Sequence, residues 1–454
     1  MLVRSLKPSL IESIPRLRTR IEAKPKVWVE AYGCSASMAD SEMISGLLKS
    51  AGYEIATRQA DGALNLVVTC SVKDTTEHRM VSRIKSLGKS GKPLVIAGCL
   101  PKADRLKVEL LNPSASLLGP HSIDQTVDVV ESAMAGGRVV ALEDSEFDKI
   151  NIPRVRLNPA VSIIEIASGC MSECTFCQTK LAKGWLRSYR IGDIMRQIES
   201  DVKAGCREVW LTSTDNGCYG KDNGSSLPEL LKACCSIEGD FRIRLGMMNP
   251  MYVPEMLEEL VDLFHNNDKL FKFIHIPVES GSDKILRKMK RGHTCKTFMN
   301  AVESFRHKIP EMTISTDIIV GFPSETEDDF QETIKLVEQA EPDTVNLSRY
   351  SARPGTESAK WKDKRISSQV AKERSKRLHL ISKKIAKRRN SLWKDWKGEI
   401  IVDETSKAVQ GRNYAYKPVM VSNTDQAELG TGMIVKVYAY SSQSLKAKIA
   451  NSEI

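Results

Sequence analysis

Cys170, Cys174 and Cys177 stand in the run Ser-Gly-Cys-Met-Ser-Glu-Cys-Thr-Phe-Cys, residues 168–177. Three thiolates at this C-x₃-C-x₂-C spacing can hold three irons of a cubane iron–sulfur cluster, one fewer than the usual four Cys ligands. A fourth iron without a protein ligand is open to chelation by a small molecule. A zinc site or three unpaired thiols are the competing readings. Zinc prefers four ligands, commonly as pairs of C-x₂-C, and the chain has no second pair.

The other eight of the eleven cysteines divide into two groups. Cys34, Cys70 and Cys99 each follow a short apolar run: Val27–Tyr32, Leu64–Thr69 and Leu94–Gly98. Helical patterns, roughly Ser41–Ser50 and Thr75–Lys89, lie between them. In a parallel α/β sheet the carboxyl ends of the strands face a common crevice. Three Cys at three strand ends are therefore expected to converge, against the bland reading that Cys is a common core residue. Cys206, Cys218, Cys234, Cys235 and Cys295 show no such phase and read as ordinary thiols.

The Cys170 loop, with Phe176 before its last Cys and the apolar run Val161–Ile166 ahead of it, resembles the signature of the radical S-adenosylmethionine (SAM) superfamily. Further motifs resemble the methylthiotransferases within it. Tyr32-Gly-Cys34, Thr69-Cys-Ser-Val72 and Ala97-Gly-Cys-Leu-Pro101 look like their N-terminal domain. His275–Ser282, Thr316–Pro323 and Tyr350–Thr356 look like their radical domain. Glu279 stands where Gln is expected, and Ser324 where Gly usually follows Phe-Pro. The run Cys177-Gln-Thr-Lys-Leu-Ala-Lys-Gly184, with Ser35 after Cys34, resembles the archaeal and eukaryotic branch acting on N6-threonylcarbamoyladenosine in tRNA.

This resemblance implies two [4Fe-4S] clusters and SAM as cofactors. The Cys170/Cys174/Cys177 cluster would reduce SAM to give a 5′-deoxyadenosyl radical, which abstracts hydrogen from an unactivated aromatic carbon. An auxiliary cluster on Cys34, Cys70 and Cys99 would offer sulfur, and a second SAM the methyl group. SAM contacts are expected from Phe176, Glu279, the loop Thr212-Ser213-Thr214-Asp215-Asn216, and Gly321 with Phe322, where the glycine would let the backbone approach adenine. Glu279 would repel an anionic threonylcarbamoyl group unless Lys180, Lys183 or Arg187 offsets it. The alternatives are a methylthiotransferase for N6-isopentenyladenosine in tRNA and an iron–sulfur RNA-binding or electron-transfer protein without SAM chemistry.

The elements that must position these residues read as α/β. Six strand–helix units between 160 and 350 imply a parallel sheet, which the resemblance makes a partial (β/α)6 radical SAM barrel with its functional loops at the carboxyl ends of the strands. The expected strands are Ser162–Ile166, Glu208–Thr212, Arg242–Leu245, Phe273–Ile276, Thr313–Val320 and Thr344–Ser348. The expected organisation is a tail (1–25), an N-terminal parallel α/β domain (26–136), a linker (137–158), the radical core (159–359), a basic helical segment (360–392) and a small C-terminal all-β barrel (393–454) that resembles the TRAM domain of tRNA-modifying enzymes. Tyr414, Tyr416, Tyr438 and Tyr440 could stack on bases, or be half-buried barrel positions.

The net charge of +10 is concentrated. Residues 360–397 hold 15 Lys or Arg against 3 Asp or Glu. Such a segment points to a polyanion, here tRNA, with Arg374, Lys376, Arg377, Lys387, Arg388 and Arg389 as candidate phosphate contacts. Against this, Leu378, Ile381, Ile385 and Leu392 keep a helical spacing that would bury one side. No apolar run approaches a membrane span, the first residues lack the apolar core of a signal peptide, and the Cys spacing suits a reducing compartment. A cytoplasmic monomer is expected, served by an electron donor and a sulfur donor.

Overall fold

Three inner strands of the first domain, Leu64–Thr69, Leu94–Gly98 and Ser116–Leu118, are buried from end to end, as a parallel sheet covered by helices on both faces requires. The computed structural model describes residues 24–450, apart from 72–73, 146, 407, 423 and 425–426. Nearly all of the expected tail therefore lies outside the described residues. Strands β1 (Lys26–Ala31), β2 (Glu54–Ile55), β3 (Leu64–Thr69), β4 (Leu94–Gly98), β5 (Ser116–Leu118) and β6 (Val140–Ala141) form one parallel sheet in the order β2-β1-β3-β4-β5-β6. β6 lies inside the span expected to be linker, where it extends the sheet by pairing with β5.

Helix α1 (Ser35–Ser50) begins directly after Cys34, six residues before the apolar periodicity starts. Its first turns are built of small and polar residues, and Ser37, Asp40, Ser41 and Glu42 are nonetheless buried. A hydrophobic pattern is blind to such a turn. The remaining helices of this domain are α2 (Asp74–Gly88), α3 (Cys99–Ala103), α4 (Arg105–Leu111) and α5 (Thr126–Met134).

The second domain opens with β7 (Val161–Glu165), then the β8 (Ala167–Ser168) and β9 (Arg187–Ser188) hairpin that brackets α6 (Thr179–Lys183). There follow α7 (Ile191–Lys203), β10 (Glu208–Thr212), α8 (Leu227–Ser236), β11 (Arg242–Leu245), α9 (Leu257–Asn266), β12 (Phe273–His275), α10 (Asp283–Met289), α11 (Cys295–Lys308), β13 (Thr313–Val320), α12 (Glu327–Ala340) and β14 (Thr344–Arg349). β7-β10-β11 and β12-β13-β14 are parallel three-stranded sheets, bridged at Ile243 and Leu270. Six strands thus run in chain order around an incomplete barrel. Its core holds Ile164, Leu211, Leu245, Ile274 and Ile318, all essentially inaccessible.

Helix α13 (Ser368–Ser391) lies across α12 and β14. Leu378 and Ile385 enter the barrel core and Ile381 packs against it. Leu392 does not join them: the helix has ended, and its side chain is 68% exposed. The strands β15 (Lys397–Glu404), β16 (Gln410–Arg412), β17 (Pro418–Val421), β18 (Gly432–Tyr440) and β19 (Leu445–Ile449) close into a small barrel. Tyr416 is the joint between the two barrels. It is buried against Phe271, Phe273 and Trp210, so it offers no face to a base. Tyr438 is exposed. Asp343 adds a buried polar joint, accepting from Lys417 at 2.7 Å and Arg389 at 3.2 Å.

Candidate active site

Cys34, Cys70 and Cys99 all stand at carboxyl ends of the first sheet, after β1, β3 and β4. Two glycines permit the crowding. A Cβ on Gly33, at φ +117°, would stand 2.2 Å from Cys70 Cβ. One on Gly98, at φ +91°, would stand 2.4 Å from the Thr69 carbonyl oxygen. Only glycine fits both the conformation and the gap. The hydrogen bond with Cys70 is the main cause that pulls the Cys34 thiol down to about 6. Burial pushes Cys99 up, against the pull of Lys183.

The Cys170 loop is pinned on every side. The Cys170 N–H donates to the Gly184 carbonyl, Thr175 N–H to the Met289 carbonyl, and Cys177 N–H to the Cys174 carbonyl. Cys170 Sγ accepts from Ser172 N–H at 3.3 Å, and Cys174 Sγ from Arg291 Nη1 at 3.3 Å. Phe176 meets Phe322 edge to face, and Phe322 in turn meets Tyr350 and Trp361.

Arg291 was not singled out by the sequence. It follows a helix in a plain basic run, Lys288-Met-Lys-Arg291, and nothing in its type or spacing marks it. In the fold it is buried, bonds a cluster-type thiol, and keeps Nε without a hydrogen-bond partner. Cys218, read as an ordinary thiol, also belongs here. The Cys170 and Cys218 thiols and an Asp215 carboxylate oxygen all lie within 4.8 Å of one another.

Other residues expected at SAM are bonded within the fold. Asp215 is buried and accepts from the Gly217 and Asn249 N–H groups, both at 3.0 Å. Asn216 is buried and donates to the Met247 carbonyl. Thr212 Oγ1 bonds Ser35 Oγ at 2.9 Å. Of the Thr212–Asn216 loop, Ser213 and Thr214 keep accessible surface. Phe322 is wholly buried and backs Phe176. The Gly321 position is set by a helix: a Cβ there would stand 2.7 Å from Ala371 Cβ.

A cavity of about 410 Å³ opens beside the loop, lined by Phe176, Glu279, Asp317, Ile319, Asn346 and Tyr350 among others. This is the size of a cofactor pocket. Glu279 sits in it at φ +70°. Burial pushes its carboxyl up to about 7, against the pull of Arg291. The cations expected to offset Glu279 are engaged elsewhere. Lys180 donates to the Cys170 carbonyl, Lys183 to Glu165, and Arg187 to Asp148. Arg291 takes their place.

The basic helix is likewise partly spent on the fold. Arg374 is 5% exposed and bonds Glu325 at 2.6 Å, so its guanidinium is not available to a phosphate. Arg377 pairs with Glu327, Arg388 with Glu341 and Arg389 with Asp343. Lys376 and Lys387 are exposed, with no ion pair among the described residues, as are Lys372, Lys383 and Lys384.

Comparison with known proteins finds two families on separate parts of the chain. The Radical SAM superfamily matches residues 164–337, and Uncharacterized protein family UPF0004 residues 26–119. The probable threonylcarbamoyladenosine tRNA methylthiotransferase of Pyrococcus horikoshii is 42% identical over 364 residues, spanning 80% of this chain and 84% of its own. The threonylcarbamoyladenosine tRNA methylthiotransferase of Homo sapiens is 34% identical over 448 residues, spanning 96% and 76%. The chain belongs to the threonylcarbamoyladenosine tRNA methylthiotransferase family. Among solved structures, the radical SAM methyltransferase TsrM of Kitasatospora setae superposes with a TM-score of 0.54 over 74% of this chain and 77% of that one, at 13% identity. That likeness is one of fold.

A radical SAM fold carries a [4Fe-4S] cluster and SAM, and the residues present fit both. The loop offers three thiols, one already braced by Arg291. The cavity starts at Phe176, next to Cys177. Among the described residues, no helix is long and apolar enough to cross a membrane.

Proposed function

We propose that this protein is a radical SAM methylthiotransferase that converts N6-threonylcarbamoyladenosine, on the 3′ side of the tRNA anticodon, to its 2-methylthio derivative. The supporting observation is a contact between the two Cys-bearing domains. Ser35, next to Cys34, bonds Thr212 at the mouth of the barrel that holds the Cys170 loop. In this reading Cys34, Cys70 and Cys99 hold a second [4Fe-4S] cluster. Bound together, these groups supply a hydrogen-abstracting radical from SAM, a sulfur atom from the second cluster and a methyl group from another SAM.

The chain's own residues bind, orient and shield. Cys170, Cys174 and Cys177 would hold the radical cluster, which would bind SAM. Phe176, Ser213, Thr214 and Glu279 would face SAM when it is bound. Arg291 holds Cys174 and places positive charge beside it. A Glu279 carboxyl raised to about 7 by burial carries only part of its charge at neutral pH, which lessens the repulsion toward an anionic threonylcarbamoyl group. Lys376 and Lys387 on α13, with Tyr438 on the small barrel, face solvent where a tRNA can lie. The enzyme works in the cytoplasm with an electron donor and a sulfur donor.

The test offers reconstituted, reduced enzyme matched tRNAs bearing threonylcarbamoyladenosine, isopentenyladenosine or plain adenosine. Methylthio product on the first is expected. Turnover on isopentenyladenosine alone would overturn the substrate, and SAM cleavage absent throughout would return the protein to iron–sulfur RNA binding or electron transfer.

A further inference from the structure

Four charged side chains form a closed ring where the two α/β domains meet. Lys149 Nζ lies 2.7 Å from Asp40 Oδ1 and 3.3 Å from Glu165 Oε2. Lys183 Nζ lies 2.7 Å from Glu165 Oε1 and 3.8 Å from Asp40 Oδ2. All four side chains are at most 3% exposed. The four groups come from four segments: Asp40 from α1, Lys149 from the connection between domains, Glu165 from the end of β7, and Lys183 from the end of α6.

These segments are the ones that carry the cluster residues. α1 is capped by Cys34. β7 leads into the Cys170 loop, and α6 leaves it after Cys177. α6 packs on α3, the helix that Cys99 begins. Lys183, the last residue of α6, is thus on the element packed against the helix that Cys99 begins.

A buried ion ring is a poor choice if welding two domains were its whole purpose. Desolvating four charges is costly, and apolar residues of similar volume often serve as well or better. What apolar packing cannot supply is a fixed positive charge beside a set of thiolates. We infer that the ring is a positioning device in which Asp40, Lys149 and Glu165 hold the Lys183 ammonium against the Cys34/Cys70/Cys99 site, where it sets the reduction potential of the auxiliary cluster. This rests on the proposal that the trio holds a cluster. Net charge near an iron–sulfur cluster is one of the levers on its potential. Lys183 is a positioning residue here, not a catalytic one.

The sign of the effect separates this role from a weld. The full-length chain with Cys170, Cys174 and Cys177 replaced by Ala, reconstituted anaerobically, would report the auxiliary cluster alone. Its midpoint is read by potentiometry followed by electron paramagnetic resonance. Lys183→Met should shift the midpoint to more negative values, Lys183→Arg should restore it, and Glu165→Gln, which removes a negative charge, should shift it the opposite way from Lys183→Met. If Lys183→Met fails to fold, the Lys183→Arg and Glu165→Gln pair still decides the sign. Unchanged midpoints, or shifts in the same direction for Lys183→Met and Glu165→Gln, would overturn the inference. No cluster signal in the parent would instead defeat the underlying two-cluster proposal.

Discussion

Ser35 Oγ and Thr212 Oγ1 stand 2.9 Å apart across the boundary between the two α/β domains. Ser35 is the first residue of α1, beside Cys34, and Thr212 ends β10. The bond joins the carboxyl end of one parallel sheet to that of another, and three cysteines follow strands of each domain. Two sites placed this way can act on one substrate and still be separable by mutation. Reconstituted wild-type protein should carry about eight irons, and the Cys170/Cys174/Cys177 triple Ala variant about four. Cys174→Ala should abolish 5′-deoxyadenosine formation. Cys70→Ala should retain it and lose the methylthio product. Iron near four in the wild type, or full methylthiolation by Cys70→Ala, would refute the two-site arrangement.

The basic helix divides into charges that hold the fold and charges that are free, and mutations should sort the same way. Arg374→Ala leaves Glu325 buried without its partner, which should cost about 3–5 kcal/mol in denaturant unfolding. Replacing the exposed Lys372, Lys376, Lys383, Lys384 and Lys387 by Gln should cost little stability. It should instead flatten the salt dependence of tRNA binding, by about 0.7–0.9 in log–log slope for each lost phosphate contact. An unchanged slope would mean that these lysines only solvate the helix.

What the sequence made legible follows from what a pattern can carry. Strands buried over most of their length, such as Leu64–Thr69 and Thr313–Val320, are rich in apolar and β-branched residues, and their expected bounds coincide with the observed ones. The strand–Cys phase of Cys34, Cys70 and Cys99 survives in one dimension because a parallel sheet repeats the same turn at each strand end. The start of α1 was not legible, because its polar face is buried against charged partners such as Lys149. Arg291 and Cys218 were missed for a related reason: their partners, Cys174 and Cys170, lie far away in sequence, and only the barrel brings them together. The charge count of α13 was read correctly, but not how Glu325, Glu327, Glu341 and Asp343 consume four of its arginines.

Cys218 raises a specific question because it lies so near Cys170 and Asp215. A sulfur crowding one ligand of the trio is poorly placed to serve a different iron, and its own thiol donates to the Asp215 carbonyl at 3.2 Å. Cys218→Ala should therefore keep the wild-type iron content and the SAM-dependent change in the cluster's electron paramagnetic resonance signal. Loss of about four irons from Cys218→Ala would make it a ligand.

Glu279 is the position where stability should report on pH. Burial raises its carboxyl from 4.5 to about 7, with Asp317 adding to the rise and Arg291 opposing it. Between those values the folded protein binds a proton that the unfolded chain has released. Stability therefore falls as pH rises through this window, and stays reduced above it. A rise of this size corresponds to a cost on the order of 3 kcal/mol at pH 8. Glu279→Gln removes the ionisable group but keeps the shape. In cluster-free protein the variant should match the wild type near pH 4.5 and exceed it by up to about that amount at pH 8, as measured by urea unfolding at each pH. A difference between the two that does not change from pH 4.5 to 8 would show that Arg291 already neutralises the Glu279 carboxylate, with its charge fully present in the cavity.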